Sequence, residues 1–458
     1  MSGPTWFLGL ELAGTGTHPA SWRRADSRAE DLFTANYWTT LVTEAERLGV
    51  DAVFLPDSFA VQEGGAGVTR GRLDAVAIAA RTAPLTRRIG LIPQVPVTHT
   101  EPFHVSKAIA ALDFASAGRA GWEVTVSPDP IEAKAFGRKD VQDTASLWHE
   151  ADEAVEVVAR LWDSWEDDAE IRDVSTGRFI DRDRLHYIDF TGDNFAVKGP
   201  AITPRSPQGQ SIVTVRAEDA PSTELAVHRA DLIRISAPDT STAAAHRLAL
   251  RTALTEAGRD PDAVRVLLDL PVHLADSTET AAAEVAELDT WLDLHLPTAT
   301  DASTELDNRP SDHDDQHLAD APTGGIETTS AAEAPSTTVA ARTGGSGSGD
   351  GALRLVGTVA DLFALLAELA DVVDGVVLRP LAVPATLTAL SAPAVADRAP
   401  ADEPTPATPS TSAPLPASEG AGSPATPVDA GTAPPTFRER LGLPRPANRY
   451  ATPTGAAL

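Results

Sequence analysis

The hydrophobic pattern of the chain repeats one unit, a short apolar run followed by a longer amphipathic stretch. Runs of about four to eight apolar residues are typical of buried strands, whereas apolar positions three or four residues apart indicate a helix. The apolar runs lie at residues 7–12, 52–57, 89–95, 121–127, 211–217, 231–236, 264–274 and 374–382. Helices are predicted at residues 36–48, 73–82, 103–116, 145–165, 223–229, 242–257, 278–294 and 358–370.

This alternation predicts the fold class. Short apolar strands that alternate with helices form parallel βαβ units, with strands buried on both faces. Eight such units in one chain predict a closed (β/α)8 TIM barrel. A doubly wound open sheet is the alternative, but no GxGxxG turn follows the first apolar run, which weakens a dinucleotide-binding fold.

Polar residues follow several of the predicted strands, and in a barrel the chemistry lies where strands end and loops begin. Taken alone, each of these polar residues is weak evidence for a functional site. A single histidine at a strand end is more often a structural hydrogen-bonding group, and Asp57 could simply cap the next helix. Their joint placement is the better indication of a site. The candidates are His18 and Trp22, Asp57 and Ser58, Thr98 to Glu101 with His104, Ser127 and Asp129, and residues 218–223.

Two tracts have no hydrophobic periodicity and are predicted to be flexible insertions. Residues 298–351 are rich in Thr, Ala, Ser, Gly and Asp, and residues 392–435 are rich in Pro, Ala, Thr and Ser. The first tract contains SDHDDQH at residues 311–317, which we interpret as a solvated acidic loop, so no metal site is predicted.

These tracts divide the chain. Residues 1–297 are expected to hold the first seven βα units, and residues 352–391 the closing helix and eighth strand. Residues 436–458 form a tail that either docks back on the barrel or frays.

Composition narrows the possible functions. The chain has 458 residues, a net charge of −29 and no cysteine, which excludes disulfides, cysteine metal ligands and a thiolate nucleophile. The acidity argues against nucleic acid and anionic membrane surfaces as partners. The sequence also shows neither an apolar run of about 18 residues nor a signal-peptide pattern at its start. A cytoplasmic protein is expected.

Several motifs resemble a known family. They are GTHPASWRR, FLPDSFAV, THTEPFHVSK, LDFASAGRAGW, LWDSWEDDA, FAVKGPAITPRSPQGQ and RERLGLPRPANRY. Together they resemble the bacterial luciferase-like flavin monooxygenases, in the branch of the nitrilotriacetate, dibenzothiophene-sulfone and long-chain alkane monooxygenases.

The resemblance implies a barrel that binds reduced FMN supplied by a separate NAD(P)H:flavin reductase and uses O2 to oxygenate a small organic substrate. Pairing with a second barrel, as a homodimer or with a homologue, is also implied. At the positions where the family has its site, the catalytic candidates are His18, which matches the family motif, and His99, which departs from it. The flavin contacts would be Asp57, Ser58, Thr98, Glu123, Trp148, Ala217 and Glu218.

The flavin positions depart from the family pattern in several places. The family's Gly-Trp-Asn reads Gly-Trp-Glu here, ending at Glu123, and its Arg-Tyr pair reads Leu147-Trp148. The glycine-rich turn expected to meet the FMN phosphate reads Ala217-Glu218-Asp219-Ala220-Pro221. Two unit charges about 4 Å apart repel by ~1 kcal/mol in water and ~4 kcal/mol at an effective dielectric constant near 20, so the acidic turn opposes phosphate binding.

Two hypotheses therefore stay open for Glu123. Either it faces a retuned flavin pocket, where His99 or Arg216 neutralises it, or the flavin site is lost and Glu123 forms a structural ion pair. The second hypothesis makes the chain a non-catalytic barrel that supports an intact homologue.

A barrel for the deazaflavin F420 is a third possibility, which the acidic turn also opposes. A hydrolase finds no support, because the sequence has no G-x-S-x-G motif.

Overall fold

The computed structural model describes residues 6–60, 71–293, 351–391 and 434–451. Most of the two tracts predicted to be flexible, including the acidic stretch 311–317, lies outside these residues. Within them, no helix is long and apolar enough to cross a membrane.

In the part of the chain so described, eight parallel strands close into a barrel in chain order, and the last strand pairs with the first. The predicted (β/α)8 TIM barrel is confirmed. The strands are β1 (Phe7–Glu11), β2 (Ala52–Leu55), β3 (Gly90–Pro96), β4 (Gly121–Thr125), β5 (Ile212–Arg216), β6 (Leu232–Ile235), β7 (Arg265–Leu274) and β8 (Gly375–Pro380).

Helices cover the outside of the barrel, and several begin where a side chain caps the first turn. Thr34, Asp74 and Asp143, for example, each accept a backbone hydrogen bond at a helix start, the role for which these residue types are favoured. The helices are α1 (Ala35–Arg47), α2 (Ala75–Thr82), α3 (Pro102–Ala115), α4 (Pro130–Phe136), α5 (Thr144–Asp163), α6 (Ala220–Arg229), α7 (Thr240–Glu256), α8 (Thr278–Asp293), α9 (Val359–Leu369) and α10 (Val383–Leu390).

The pattern does not predict the short helices α4 and α10, two hairpins or one short strand. Two hairpins lie between α5 and β5, one of Glu170–Asp173 with Arg178–Ile180 and one of Phe190–Thr191 with Ala196–Val197. A short strand, Leu355–Gly357, pairs with the end of β7. The hairpin strands are two to four residues long and largely exposed, so they carry no apolar run for a pattern to detect.

The lower interior of the barrel, at the amino ends of the strands, is filled by apolar side chains. Residues two apart on a strand share a face, and one inward layer takes one or two residues from each strand except β4. The rings of Phe7 and Phe54 meet edge to face with centroids 6.5 Å apart. The cluster consists of Phe7, Ala52, Phe54, Ile92, Ile212, Leu232, Leu267, Val377, Phe437, Leu441 and Leu443.

The last members of this cluster come from the C-terminal tail, whose helix α11 (Phe437–Arg440) closes the lower end of the barrel. The Phe437 ring lies against Gly90, where an added Cβ would come within 2.7 Å of it. Arg438 forms a two-point ion pair with Asp231, at 3.0 and 2.7 Å, and its N–H donates to Gln208. The described part of the tail is thus docked on the barrel.

Phe437→Ala is expected to lower the free energy of unfolding by about 3–5 kcal/mol, because it removes a fully buried ring and leaves a cavity. Urea denaturation followed by tryptophan fluorescence measures this loss. Phe179→Ala is the matched control, since Phe179 is a 61% exposed ring on a hairpin. Equal losses in the two variants would show that the tail does not seal the barrel.

Candidate active site

The upper interior of the barrel is polar, in contrast to the apolar layer beneath it. Two residues beyond the apolar position on β3, β6, β7 and β8 lies a charged or amide side chain, and on β1 and β5 such a side chain follows four residues beyond. This polar layer consists of Glu11, Gln94, Glu123, Arg216, Arg234, Asp269 and Arg379.

Arg234 stands at the centre of this layer and contacts three carboxylates. Its guanidinium donates to Glu11 at 2.6 Å, Glu123 at 2.6 Å and Asp269 at 2.7 Å, and all four side chains are at most 3% exposed. Its guanidinium carbon also lies 4.7 Å from the centroid of the Phe54 ring below it. One cation therefore joins β1, β4, β6 and β7 across the barrel.

Two further arginines complete the layer from above. Arg216 lies 3.0 Å from Glu11, 3.2 Å from Asp269 and 3.9 Å from Glu123, and Arg379 lies 3.0 Å from Glu11. Three guanidinium groups thus face three carboxylates, and their formal charges cancel. Buried charges are tolerated when they are paired and hydrogen-bonded in this way.

The pairing decides the ionisation of Glu11. Burial by itself would raise the pKa of this carboxyl, but the positive charges of Arg234, Arg379 and Arg216 outweigh that effect and hold the pKa far below its ordinary value. Burial likewise opposes the charge of Arg234, yet the carboxylates around it keep its pKa well above the ordinary value. Glu11 and Arg234 are therefore ionised at neutral pH.

Glu123, the residue left open by the sequence, belongs to this network. Its described partners are Arg234, Gln94 and, at 3.9 Å, Arg216. Gln94 links it to the loop after β2, because its Nε2 donates to Glu123 at 3.0 Å while its Oε1 accepts from the Asp57 N–H at 2.9 Å. Glu123 thus forms a buried ion pair, and Arg216 is a secondary partner.

A cavity of about 450 Å³ opens above the polar layer, at the carboxyl ends of the strands. Residues 11–19, from the end of β1 and its loop, form one wall, and Trp38 and Leu55 add apolar surface. Gln94, Arg216 and Arg379 line it from the polar layer. Its position is that of ligand sites in barrels of this class.

His18 lines the cavity with both ring nitrogens engaged. Its Nδ1 accepts from the Ala20 N–H at 3.1 Å, so the ring proton lies on Nε2 and points to Asp289, 3.1 Å away on α8. Burial lowers the pKa of His18, and the Asp289 carboxylate opposes that shift. This imidazole is neutral and holds the loop after β1 against α8.

Asp57 and Ser58 organise the loop after β2. The Asp57 carboxylate accepts from the N–H groups of Ser58, at 2.8 Å, and Ala75, at 2.9 Å, and so caps α2. One oxygen of the buried Glu132, on α4, accepts from the Ser58 hydroxyl and from the N–H groups of Phe59 and Ala60 at 2.8–3.1 Å. The chain's own carboxylate therefore occupies this small group of donors.

Thr98 and His99 follow β3. The Thr98 hydroxyl accepts from the Ser127 N–H at 3.0 Å, and its carbonyl accepts from Lys139 at 2.7 Å. The His99 ring stacks on Phe136 with centroids 4.7 Å apart, and its ring nitrogens have no hydrogen bond among the described residues. Burial, followed by the charge of Lys139, lowers the pKa of His99, so it is not a cation that could neutralise Glu123.

The remaining sequence candidates are not among the residues that line the cavity. Trp148, on α5, faces α6 in a groove that also contains Pro221 and Leu225. Ala217 extends β5, because its N–H donates to the Arg234 carbonyl at 2.9 Å. The Glu218 carboxylate is 62% exposed and lies 3.4 Å from Arg216.

The turn before α6 is closed by its own side chains. Asp219 caps the helix by accepting from the Ser222 N–H at 2.7 Å, while the Ser222 hydroxyl accepts from the N–H groups of Glu218 and Asp219 at 3.0 and 2.9 Å. Pro221 contributes no N–H. The N–H groups of Glu218, Asp219 and Ser222, which a phosphate could use at a helix start, are therefore already occupied.

Sequence reasoning missed most of the network. Glu123 and Arg216 were singled out, but Glu11, Arg234, Asp269 and Arg379 were treated as strand residues. The signal that could have found them is the presence of one ionisable residue in each of the runs FLGLEL, LIRIS, VLLDLPV and VVLRPLA. A charge inside a strand buried on both faces must have a partner.

Arg234→Met is expected to cost about 3–5 kcal/mol of stability, because it leaves three buried carboxylates with two cations. Adding Glu123→Gln should restore part of the loss, since the charges then balance again. Urea denaturation at neutral pH measures both. Arg172→Met, which removes a 71% exposed arginine paired with Glu170, is the control and should cost little.

The wild type and the Arg234→Met variant also test the sign of the pH dependence of stability. Because the pKa of Glu11 is lowered in the folded wild type, its stabilising contribution is present above its unfolded value of about 4.5 and is lost as the pH falls. The Arg234→Met variant has less of this contribution to lose. The stability gap between the two proteins should therefore narrow below pH 4.5, and a constant gap would contradict the assignment.

Comparison with known proteins places this fold and cavity in a family. The family model for luciferase-like monooxygenases matches residues 12–374. N-acetyl-S-(2-succino)cysteine monooxygenase of Bacillus subtilis (strain 168) is 33% identical over 290 residues, which cover 63% of this chain and 65% of that protein. Nitrilotriacetate monooxygenase component A of Aminobacter aminovorans is 30% identical over 321 residues, or 67% and 71% of the two chains.

Among solved structures, the long-chain alkane monooxygenase LadA has the same fold, with a TM-score of 0.69, 20% identity and 96% of each chain covered. The chain spans just under two thirds of the length of the first curated relative and just over two thirds of the second. The resemblance found in the sequence is thereby confirmed, and its named branch includes one of these relatives. The chain belongs to the luciferase-like monooxygenase family.

Proposed function

We propose that this chain is the oxygenase component of a two-component monooxygenase. In this proposal a separate NAD(P)H:flavin reductase delivers reduced FMN, and one oxygen atom of O2 is inserted into a small organic substrate. Family membership supports the reaction class, and one relative is itself named a component A. The observation that carries the proposal is the cavity at the carboxyl end of the barrel, bounded by apolar side chains and by Arg216 and Arg379.

The cavity fits the ring system of a flavin. Its volume of about 450 Å³ lies within the range of roughly 300–1,000 Å³ that small-molecule sites occupy. Leu12, Trp38 and Leu55 offer apolar surface to a flat ring. When bound, reduced flavin would be the group that reacts with O2. The protein would supply binding, orientation and exclusion of water.

The turn before α6 does not fit the phosphate of FMN. Glu218 and Asp219 put two negative charges there, and Ser222 and Asp219 already take the backbone donors. In this proposal the phosphate therefore lies elsewhere along the mouth of the barrel, and no step of the reaction is assigned to α6.

The chain's own residues have definite tasks in this proposal. Arg234 and the three carboxylates fix the floor of the site, and Gln94 connects that floor to the loop after β2. His18 holds the loop after β1 closed against α8 as a neutral ring. His18 and His99 remain the catalytic candidates, and Asp57, Ser58 and Thr98 act by positioning loops.

The closed turn before α6 favours a second candidate function. In it the chain has no catalytic activity of its own and instead supports an intact homologous barrel in a dimer. The property that separates it first from the oxygenase proposal is the affinity for reduced flavin. In the oxygenase proposal the cavity compensates for the acidic turn, whereas in the second it does not.

Anaerobic titration of the full chain with reduced FMN separates the two. The oxygenase proposal expects a Kd of about 1 μM or tighter, read by calorimetry or by flavin fluorescence. Absence of binding at near-millimolar reduced FMN would reject the oxygenase proposal. The second candidate then predicts that the chain captures a homologous barrel of its source cell, and isolation as a lone monomer would reject that too.

Replacing the acidic turn tests its effect directly. Glu218→Ser with Asp219→Ser removes two negative charges but keeps a capping hydroxyl. Affinity for reduced FMN should rise about tenfold or more, because each ~1.4 kcal/mol of removed repulsion is tenfold. Asp239→Ser is the matched control, since Asp239 caps the neighbouring helix α7 in the same way. Equal effects of the two changes would show that the turn does not approach the flavin.

A further inference from the structure

The floor of the cavity is polarised, with its positive charges on the side of the ligand. The side chains of Arg216 and Arg379 are 19% and 26% exposed, whereas Glu11, Glu123 and Asp269 are at most 3% exposed. Both arginines line the cavity, and the carboxylates of Glu123 and Asp269 lie beneath them. The network is neutral as a whole, but its positively charged side chains face the cavity.

Arg379 has hydrogen-bonding capacity left over. Its Nε donates to Glu11 at 3.0 Å, and its Nη1 stays 3.9 Å from Asp269, beyond hydrogen-bond distance. Among the described residues, neither terminal nitrogen of Arg379 has a hydrogen-bond partner. Guanidinium carries five N–H donors in a planar fork that matches a carboxylate at two points.

The charges of the residues that line the cavity also favour a negatively charged ligand. Arg72 also lines the cavity, and Glu11, already paired below, is the acidic side chain that lines it among the described residues. Three guanidinium groups against one carboxylate favour an anion. Leu12, Trp38 and Leu55 leave apolar surface for the rest of a small molecule.

We propose that the cavity selects a small organic acid, whose carboxylate is bound by the free fork of Arg379 with Arg216 beside it. As a statement about the substrate, this rests on the proposed oxygenase function. As a statement about binding, it concerns only this chain's residues. Arg379 is then the residue that determines specificity.

An oxyanion at this point could also come from the phosphate of FMN. The structure favours a carboxylate, because a phosphate would bring about two negative charges close to Glu11, whereas a carboxylate brings one. The Glu11 carboxylate lies 3.0 Å from both cavity arginines.

The test is calorimetric titration of the full chain, without flavin, with succinate and with its neutral isostere succinamide. Succinate should bind and succinamide should not. Arg379→Gln should weaken succinate binding about 10- to 100-fold, the scale of a charge-assisted two-point contact. Arg379→Lys should lose nearly as much, because it keeps the charge but not the fork.

Arg247→Gln is the matched control. Arg247 is 29% exposed and paired with Asp374, at the opposite end of the barrel, and its loss should leave succinate binding unchanged. Circular dichroism establishes that Arg379→Gln is folded, as expected because Glu11 keeps Arg234 and Arg216. Failure of the wild type to bind succinate at tens of millimolar, or equal binding of succinamide, would overturn the proposal.

Parallel anaerobic titrations with reduced FMN and reduced riboflavin separate the two sources of the anion. If the wild type prefers FMN to riboflavin and Arg379→Gln abolishes that preference, the fork holds the phosphate and the proposal is overturned. If Arg379→Gln affects succinate but leaves the FMN-to-riboflavin ratio unchanged, the proposal is supported. Succinate binding without any flavin binding supports this inference and rejects the oxygenase function.

Discussion

The ion network around Arg234 is the constraint on which the upper half of the barrel depends. A guanidinium and three carboxylates removed from water each carry a desolvation cost of several kcal/mol, which is recovered only if every partner stays in place. Arg234 meets Glu11, Glu123 and Asp269 at hydrogen-bond distance. These residues come from strands on different sides of the barrel, so the network fixes the shape of the floor on which a ligand would rest.

That floor can be polar because the layer beneath it is dry. Phe54 lies at the boundary, with one face towards the guanidinium of Arg234 and its edge towards Phe7. Phe437 closes the opening below Gly90 from the other end of the sequence. Cation–π contact adds to the attraction between the layers. The C-terminal tail, remote in sequence, therefore helps to keep water away from the charges of the active-site floor.

The barrel itself could be predicted from the sequence because its strands are buried on both faces and read as continuous apolar runs. The polar layer was harder to predict, although its ionisable residues stand out within those runs. What the pattern cannot give is pairing: Glu11 and Arg234 are 223 residues apart, and only closure of the barrel brings them together. Local chemistry likewise left Asp57 undecided between ligand contact and helix cap, and the Ala75 N–H resolves its geometry as a cap.

The turn before α6 shows how one segment can satisfy its backbone in two exclusive ways. A helix start leaves N–H groups that need acceptors, and a phosphate or a capping side chain can supply them. Here Asp219 and Ser222 supply them internally, so any external anion would have to displace a formed capping box. Arg379 faces no such competition, because its terminal nitrogens have no hydrogen-bond partner among the described residues. In our proposal this barrel therefore receives an anion at the floor of the cavity and not at the start of α6.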